Sequence, residues 1–369
     1  MRPALYSVSV YFTIMNIPQK TLSLLAGASL LVFSSLSAVT TSPVGYVTET
    51  IKPAQFNLIG LNLSSAVEAS GVFESADGVT LTDDQADFTS LDATNSYVLK
   101  ITNGTSELGM NTGVTAASGT TLTTDDDISS VVTATTQYEI RKVFTVADIF
   151  GDTNEKELQG ATAGNTSNAD IIWIPDGIGY NKIYYNSVAR TFPPLTVGWK
   201  STTTGNADAS NTPIYFTSGI FIQVQRSAFG ASEAGVDSSD LTSKDIVIAG
   251  SVIIESSQVA LETGFNPVSR IFPGQLTLGA TAFDTELASA TSGNTTDADI
   301  IWAPDGSGGY TKYYYNGVAR TFPPLTVGWK STTTGNTDAS TSVLPSGFFI
   351  QKKGAASMAT LPLPSGVSL

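Results

Sequence analysis

The residues with the types and spacing to do chemistry are aromatic, and they occur twice. DIIWIPDGIGYNKIYYN at 170–186 returns as DIIWAPDGSGGYTKYYYN at 299–316. The first copy holds Trp173, Tyr180, Tyr184 and Tyr185, with Trp199 shortly after; the second holds Trp302, Tyr310, Tyr313, Tyr314 and Tyr315, with Trp329 after. Flat aromatic faces stack on sugar rings, so the set is a candidate glycan- or protein-binding surface. The same residues also fill cores and pair across strands, which is their commoner use. In YYYN, Tyr313 and Tyr315 must share one face and Tyr314 the other.

Carboxylates offer two further readings. Acidic groups cluster at Asp83, Asp84 and Asp87, at Asp125 to Asp127, at Asp237, Asp240 and Asp245, and at Asp297 with Asp299. Calcium takes six to eight oxygens from such loops, but none of these runs has the spacing of a known calcium loop. Solvated turn acids account for them as well. Asp170 with Asp176, or Asp299 with Asp305, is a conceivable pair for glycoside hydrolysis. An Asp in Pro-Asp-Gly is first a turn residue, and catalytic sites seldom occur in duplicate within one chain. Arg190 and Arg320, in the shared VARTFPP, are expected to pair with a repeat carboxylate such as Glu157 or Glu286 rather than to bind an anion.

What is missing limits the chemistry more. The chain has no Cys and no His. That removes disulfides, thiolate zinc sites, Cys nucleophiles, the Ser-His-Asp triad and imidazole ligands. No cofactor is expected, with calcium the one open candidate, and the expectation is a non-enzyme. Lys and Arg number 18 against 32 Asp and Glu, so neither nucleic acid nor an anionic membrane surface is an expected partner.

The elements that must position these residues read as β throughout. Trp173 and Trp302 sit in short DIIW strands and are expected to point inward. Pro-Asp-Gly turns the chain, and YNKIYYN or YTKYYYN returns as a hairpin. Phe-Pro-Pro cannot continue a central strand. GWK and GIFIQV or GFFIQK form further strands, and TVADIF (Thr145 to Phe150) is one or two helical turns. Val188 to Asn206 is identical to Val318 to Asn336, which implies recent duplication or correction of one copy by the other. The match extends to Arg141 with Arg270 upstream and to SGIFIQVQ with SGFFIQKK downstream. SYVLKI, Ser96 to Ile101, is a fainter echo.

The expected fold is all-β: antiparallel sandwich or barrel-like modules in tandem, with a few short helical turns. Residues 1–38 have the layout of a signal peptide, with Met15 an alternative start. The protein is then exported, to the periplasm, cell surface or medium, and is not an integral membrane protein after cleavage. The remaining divisions are an N-terminal module at 39–142, a first repeat at 143–227, a connecting segment at 228–266, a second repeat at 267–354 and a tail at 355–369.

The order VGYVTETI…FNLIGLNL…SYVLKI…YEIRKVFTVADIFG…IIW…YYYN…GWK…SGFFIQ resembles an uncharacterised family of secreted proteins from environmental Gram-negative bacteria. It is also similar to surface β-sandwich modules that open on a "WNLIS"-like strand and close on a "GKGYWI"-like strand, although Phe56 stands where Trp is common. The resemblance implies a secreted β-fold and carries no site residues. The leading expectation is an exported structural or surface-associated protein, and the second is a glycan- or protein-binding module.

Overall fold

The computed structural model describes residues 43–104, 108–177 and 179–363. The expected leader lies outside them. Antiparallel sheets dominate, and among the described residues the α-helices are two short ones, Val146–Phe150 and Phe283–Glu286. The all-β expectation holds. Among the described residues the exceptions to antiparallel pairing are two short parallel contacts, Ala161–Thr162 on Tyr180–Val188 and Ala290–Thr291 on Tyr310–Val318.

The duplicated stretch builds two matching modules. In the first, Ile171–Pro175 and Tyr180–Val188 form the expected hairpin. Gly198–Ser201 extends it on one side, and Ile220–Val224 flanks the other. The second module repeats this with Ile300–Pro304, Tyr310–Val318, Gly328–Ser331 and Gly347–Lys352. Strand alternation places Ile172, Ile174, Ile183 and Tyr185 on the core face with Trp199. The expectation that Trp173 and Trp302 point inward is corrected: isoleucines hold the core positions on either side of Trp173, so its ring must leave by the opposite face.

Strand pairing also redraws the module boundaries. Gln55–Ile59 (QFNLI) adds to the first module's sheet beside Ile220–Val224, and Gly264–Ser269 (GFNPVS) adds to the second beside Gly347–Lys352. Asn57 and Asn266 fix these strands identically. The Asn57 side chain accepts from Lys52 N at 2.7 Å and donates to the carbonyls of Lys52 and Ile222. Asn266 does the same with Glu262 N at 2.8 Å, the Glu262 carbonyl and the Ile350 carbonyl.

A two-stranded ribbon covers each core. Val44–Ile51 pairs with Lys244–Ser251, and Ser257–Leu261 pairs with Ser357–Leu361. Ile51, Ile246 and Ile248 of the first ribbon pack on the inner sheet face together with Val146, Ile149 and Phe150 of the short helix. That helix begins where expected. Thr145 caps it, exchanging hydrogen bonds with Asp148. The first module therefore comprises residues 44–63 and 143–251, and the second residues 257–361. The segment expected to be a C-terminal tail carries the second module's closing strand.

Residues 64–142 are an insertion into the first module rather than a module preceding it. They form one seven-stranded sheet, ordered Val67–Val72, Gln137–Lys142, Tyr97–Ile101, Asn111–Ser118, Thr121–Thr124, Thr80–Thr82 and Ser75–Asp77. Phe73 and Tyr138 stack at 4.2 Å in its core, and the Tyr138 hydroxyl donates to Asp83 at 2.7 Å. Burial and the nearby carboxylate push that phenol upward, so it stays protonated. Arg141 belongs to this insertion and holds its entry, donating to Ser64 Oγ and the Ser65 carbonyl at 3.1 and 2.8 Å. It is not the counterpart of Arg270, which follows the Gly264–Ser269 strand. SYVLKI is a central strand of the insertion.

Candidate functional site

Trp173 and Tyr180 leave the first sheet on its outer face and meet Phe56 and Phe221 there. Ring centroids lie 5.4 Å apart for Phe56–Trp173, 6.1 Å for Trp173–Tyr180 and 5.8 Å for Tyr180–Phe221. The second module repeats the cluster with Phe265, Trp302, Tyr310 and Phe349. The clusters join through Phe221 and Phe349, 5.4 Å apart. These two phenylalanines are counterparts, so the modules meet about an approximate twofold axis. Backbone contacts agree: Gly219 packs on Val268, and its counterpart Gly347 packs on Ile59. Trp173, Tyr180, Trp302 and Tyr310 of the aromatic set thus lie at a seam between modules. Lys182 and Lys312 lie over the Trp173 and Trp302 rings at 4.0 and 3.9 Å.

The other aromatics are structural within each module. Trp199 is buried and donates to the Gly151 carbonyl at 2.7 Å; Trp329 is its buried counterpart. Tyr185, Tyr313 and Tyr315 pack against the cores. Tyr184 and Tyr314 take the opposite face, as alternation requires, yet are buried beneath Ala161 and Ala169 or Ala290 and Ala298. Their hydroxyls donate to Asn206 and Asn336 at 2.9 and 3.0 Å.

The carboxylates divide between structure and turns. Asp170 accepts from Gln159 N at 2.8 Å and from Arg226 at 3.0 Å. Asp299 accepts from Ala288 N at 2.8 Å and from the Lys352 ammonium at 2.7 Å. Asp170 and Asp176 sit at opposite ends of Ile171–Pro175. At about 3.3 Å per residue the two are roughly 20 Å apart, beyond the ~5–9.5 Å that glycoside hydrolysis needs. Asp87, Asp127, Asp237 and Asp240 each accept from a Ser or Thr two residues on, which holds them below the usual carboxylate range. Among the described residues no three acidic groups converge to hold a metal.

Arg190 does not pair with Glu157. Its guanidinium donates to the carbonyls of Pro193 and Ala163 at 3.0 and 3.1 Å, and Arg320 donates to the Pro323 carbonyl at 3.0 Å. Glu157 and Glu286 instead accept from the backbone N–H of Ala234 and Thr360. Carbonyls reach these guanidinia first because the Phe-Pro-Pro segment folds back over them. Arg190 and Leu195 exchange two backbone hydrogen bonds, and Leu195 is buried beneath the loop. Buried Asn186 clamps the base, donating to the carbonyls of Val188 and Thr196.

The loop held this way displays Phe192 at 89% exposure, and Phe322 at 88% in the second copy. Val188 and Val197, with their counterparts Val318 and Val327, extend the apolar surface. Sequence reasoning read Phe-Pro-Pro only as a strand breaker and missed these rings. The available signal was a large apolar residue inside an identical stretch that strand patterning leaves outside the sheet. No protein-family model, curated protein or solved structure matches the chain. Among the described residues no helix is long and apolar enough to cross a membrane.

Proposed function

We propose that this is an exported, non-enzymatic, surface-associated protein that displays one recognition loop twice. The observation that carries the reading is the contrast between loop and core. Val188 to Asn206 and Val318 to Asn336 are identical although Phe192 to Pro194 are exposed, whereas buried Ile174 and Ile220 have become Ala303 and Phe348. Exposed loops ordinarily diverge before cores. Correction of one copy by the other would preserve the stretch, but it would not explain why the loop holds a phenyl ring in water. That ring is an aromatic anchor for a protein or glycan partner. The seam position of Trp173, Tyr180, Trp302 and Tyr310 supports moving the binding role from that cluster to the loops.

The test is binding of the purified protein to a glycan array and to intact Gram-negative cells. Wild type binds at least one of them. Phe192→Ala or Phe322→Ala weakens binding steeply, because bivalent engagement adds a factor of about 10² to 10⁴, and the double variant does not bind. Binding unchanged in the double variant, or turnover of a polysaccharide, ester or peptide panel, overturns the proposal.

A further inference from the structure

The approximate twofold axis predicts two equivalent clefts beside the seam, where one module's Pro-Asp-Gly turn faces the other's ribbon. They are not equivalent. Beside the second module's turn the space is about 210 Å³, and Lys52 crosses it to donate to the Gly306 carbonyl. Beside the first module's turn, Glu262 takes the place of Lys52, and a lobe of about 540 Å³ stands open between Pro175, Asn181, Val259 and Pro267. This lobe continues through Tyr215, Ser218, Val259 and Ala260 into a second of about 460 Å³ walled by the insertion.

Two elements that break the symmetry, the longer link after Ile214 and the insertion, meet at this second lobe. Between the strand ending at Ile214 and Ser218, the first module has two more residues than the second has between Leu344 and Ser346. Tyr215 and Phe216 fall in that longer link, and both line the lobe. The insertion, absent from the second module, supplies Val98, Met110 and Ile128. Met358 and Val259 of the second module's ribbon complete an apolar floor. The rim is acidic, with Asp126 and Asp127 on this lobe and Asp176 on its neighbour, and among the described residues no Lys or Arg lines either. Asp126 already accepts from Thr112 and Asp127 from Ser129, so both carboxylates are held in place and keep further lone pairs.

We propose that this cleft binds a small apolar molecule bearing an ammonium group. Its hydrocarbon body lies over Met110, Phe216, Val259 and Met358, and the cation meets Asp126 and Asp127. Lobes of this volume suit such ligands, and sites at junctions between structural units are common. The acidic rim selects the cation and repels carboxylates.

The probes are n-hexylamine, 1-hexanol and hexanoate, followed by calorimetry and by methyl NMR of the methionines. Hexylamine binds saturably and shifts the Met110 and Met358 methyl signals; hexanoate binds at least tenfold more weakly. Asp126→Asn and Asp127→Asn each lower hexylamine affinity by up to about fivefold. Val259→Trp fills the floor and abolishes binding, whereas Thr50→Trp, beside the smaller cleft, leaves it unchanged. The methyl shifts are read on unaltered protein, so they decide the matter if Val259→Trp fails to fold. Unmoved methyl signals, equal binding of hexanoate, or full affinity in a folded Val259→Trp protein overturns the assignment.

Discussion

Glu49 offers the sharpest test of the seam. It lies on the first ribbon, accepts from Ser346 Oγ of the second module at 2.7 Å and from Asn62 at 3.2 Å, and feels the Arg270 charge. Burial outweighs these partners and raises its carboxyl from 4.5 to about 7. Below pH ~4.5 the group is protonated in both folded and unfolded chains and has no effect. Between ~4.5 and ~7 the unfolded chain ionises while the folded one resists, so stability falls as pH rises. Above ~7 the loss is complete, and at about 1.4 kcal/mol per unit it amounts to about 3 kcal/mol at most. Glu49→Gln copies the protonated form at every pH. The variant's advantage in urea unfolding, followed by Trp fluorescence, is near zero at pH 4.5 and grows to as much as about 3 kcal/mol by pH 8. An advantage that does not change with pH would refute the claim that this carboxyl is held protonated at the seam.

Other outcomes follow from the same contacts. Asn57→Ala or Asn266→Ala strips the clamp from a sheet-edge strand and lowers unfolding free energy by about 2 kcal/mol, measured by chemical denaturation. Asp299→Ala leaves the Lys352 ammonium buried without its carboxylate and costs about 3–5 kcal/mol; adding Lys352→Met restores much of the loss, read from thermal midpoints. Gly347→Ala places a Cβ 2.7 Å from the Ile59 carbonyl carbon and costs about 1–3 kcal/mol, with increased protease cutting near the seam. Phe192→Ala with Phe322→Ala leaves the thermal midpoint almost unmoved, because exposed rings bury little surface on folding.

Local signals made much of the fold readable. Pro-Asp-Gly between apolar runs marked both hairpins, and TVADIF marked the first short helix. The kinship of the two Phe-Asn strands was missed because Phe56-Asn57 and Phe265-Asn266 share only a dipeptide, and the insertion hides that both stand at the start of a module. The pairing of Arg141 with Arg270 rested on spacing, which the insertion makes accidental. Aromatic type could not say which face Trp173 would take; the isoleucines beside it decide that. The cleft had no local signature, since its walls come from residues as distant as Val98 and Met358.

Each module begins and ends on the two strands of its own ribbon, so its head and tail emerge side by side. A gene segment encoding such a unit carries its own closure. Tandem copying adds a complete domain without exposing an unpaired sheet core, and the short link at 252–256 is where a further copy would join. The same geometry makes the second module suited to circular permutation, with new ends opened in the exposed turn at 332–335 and the old ones joined across the ribbon.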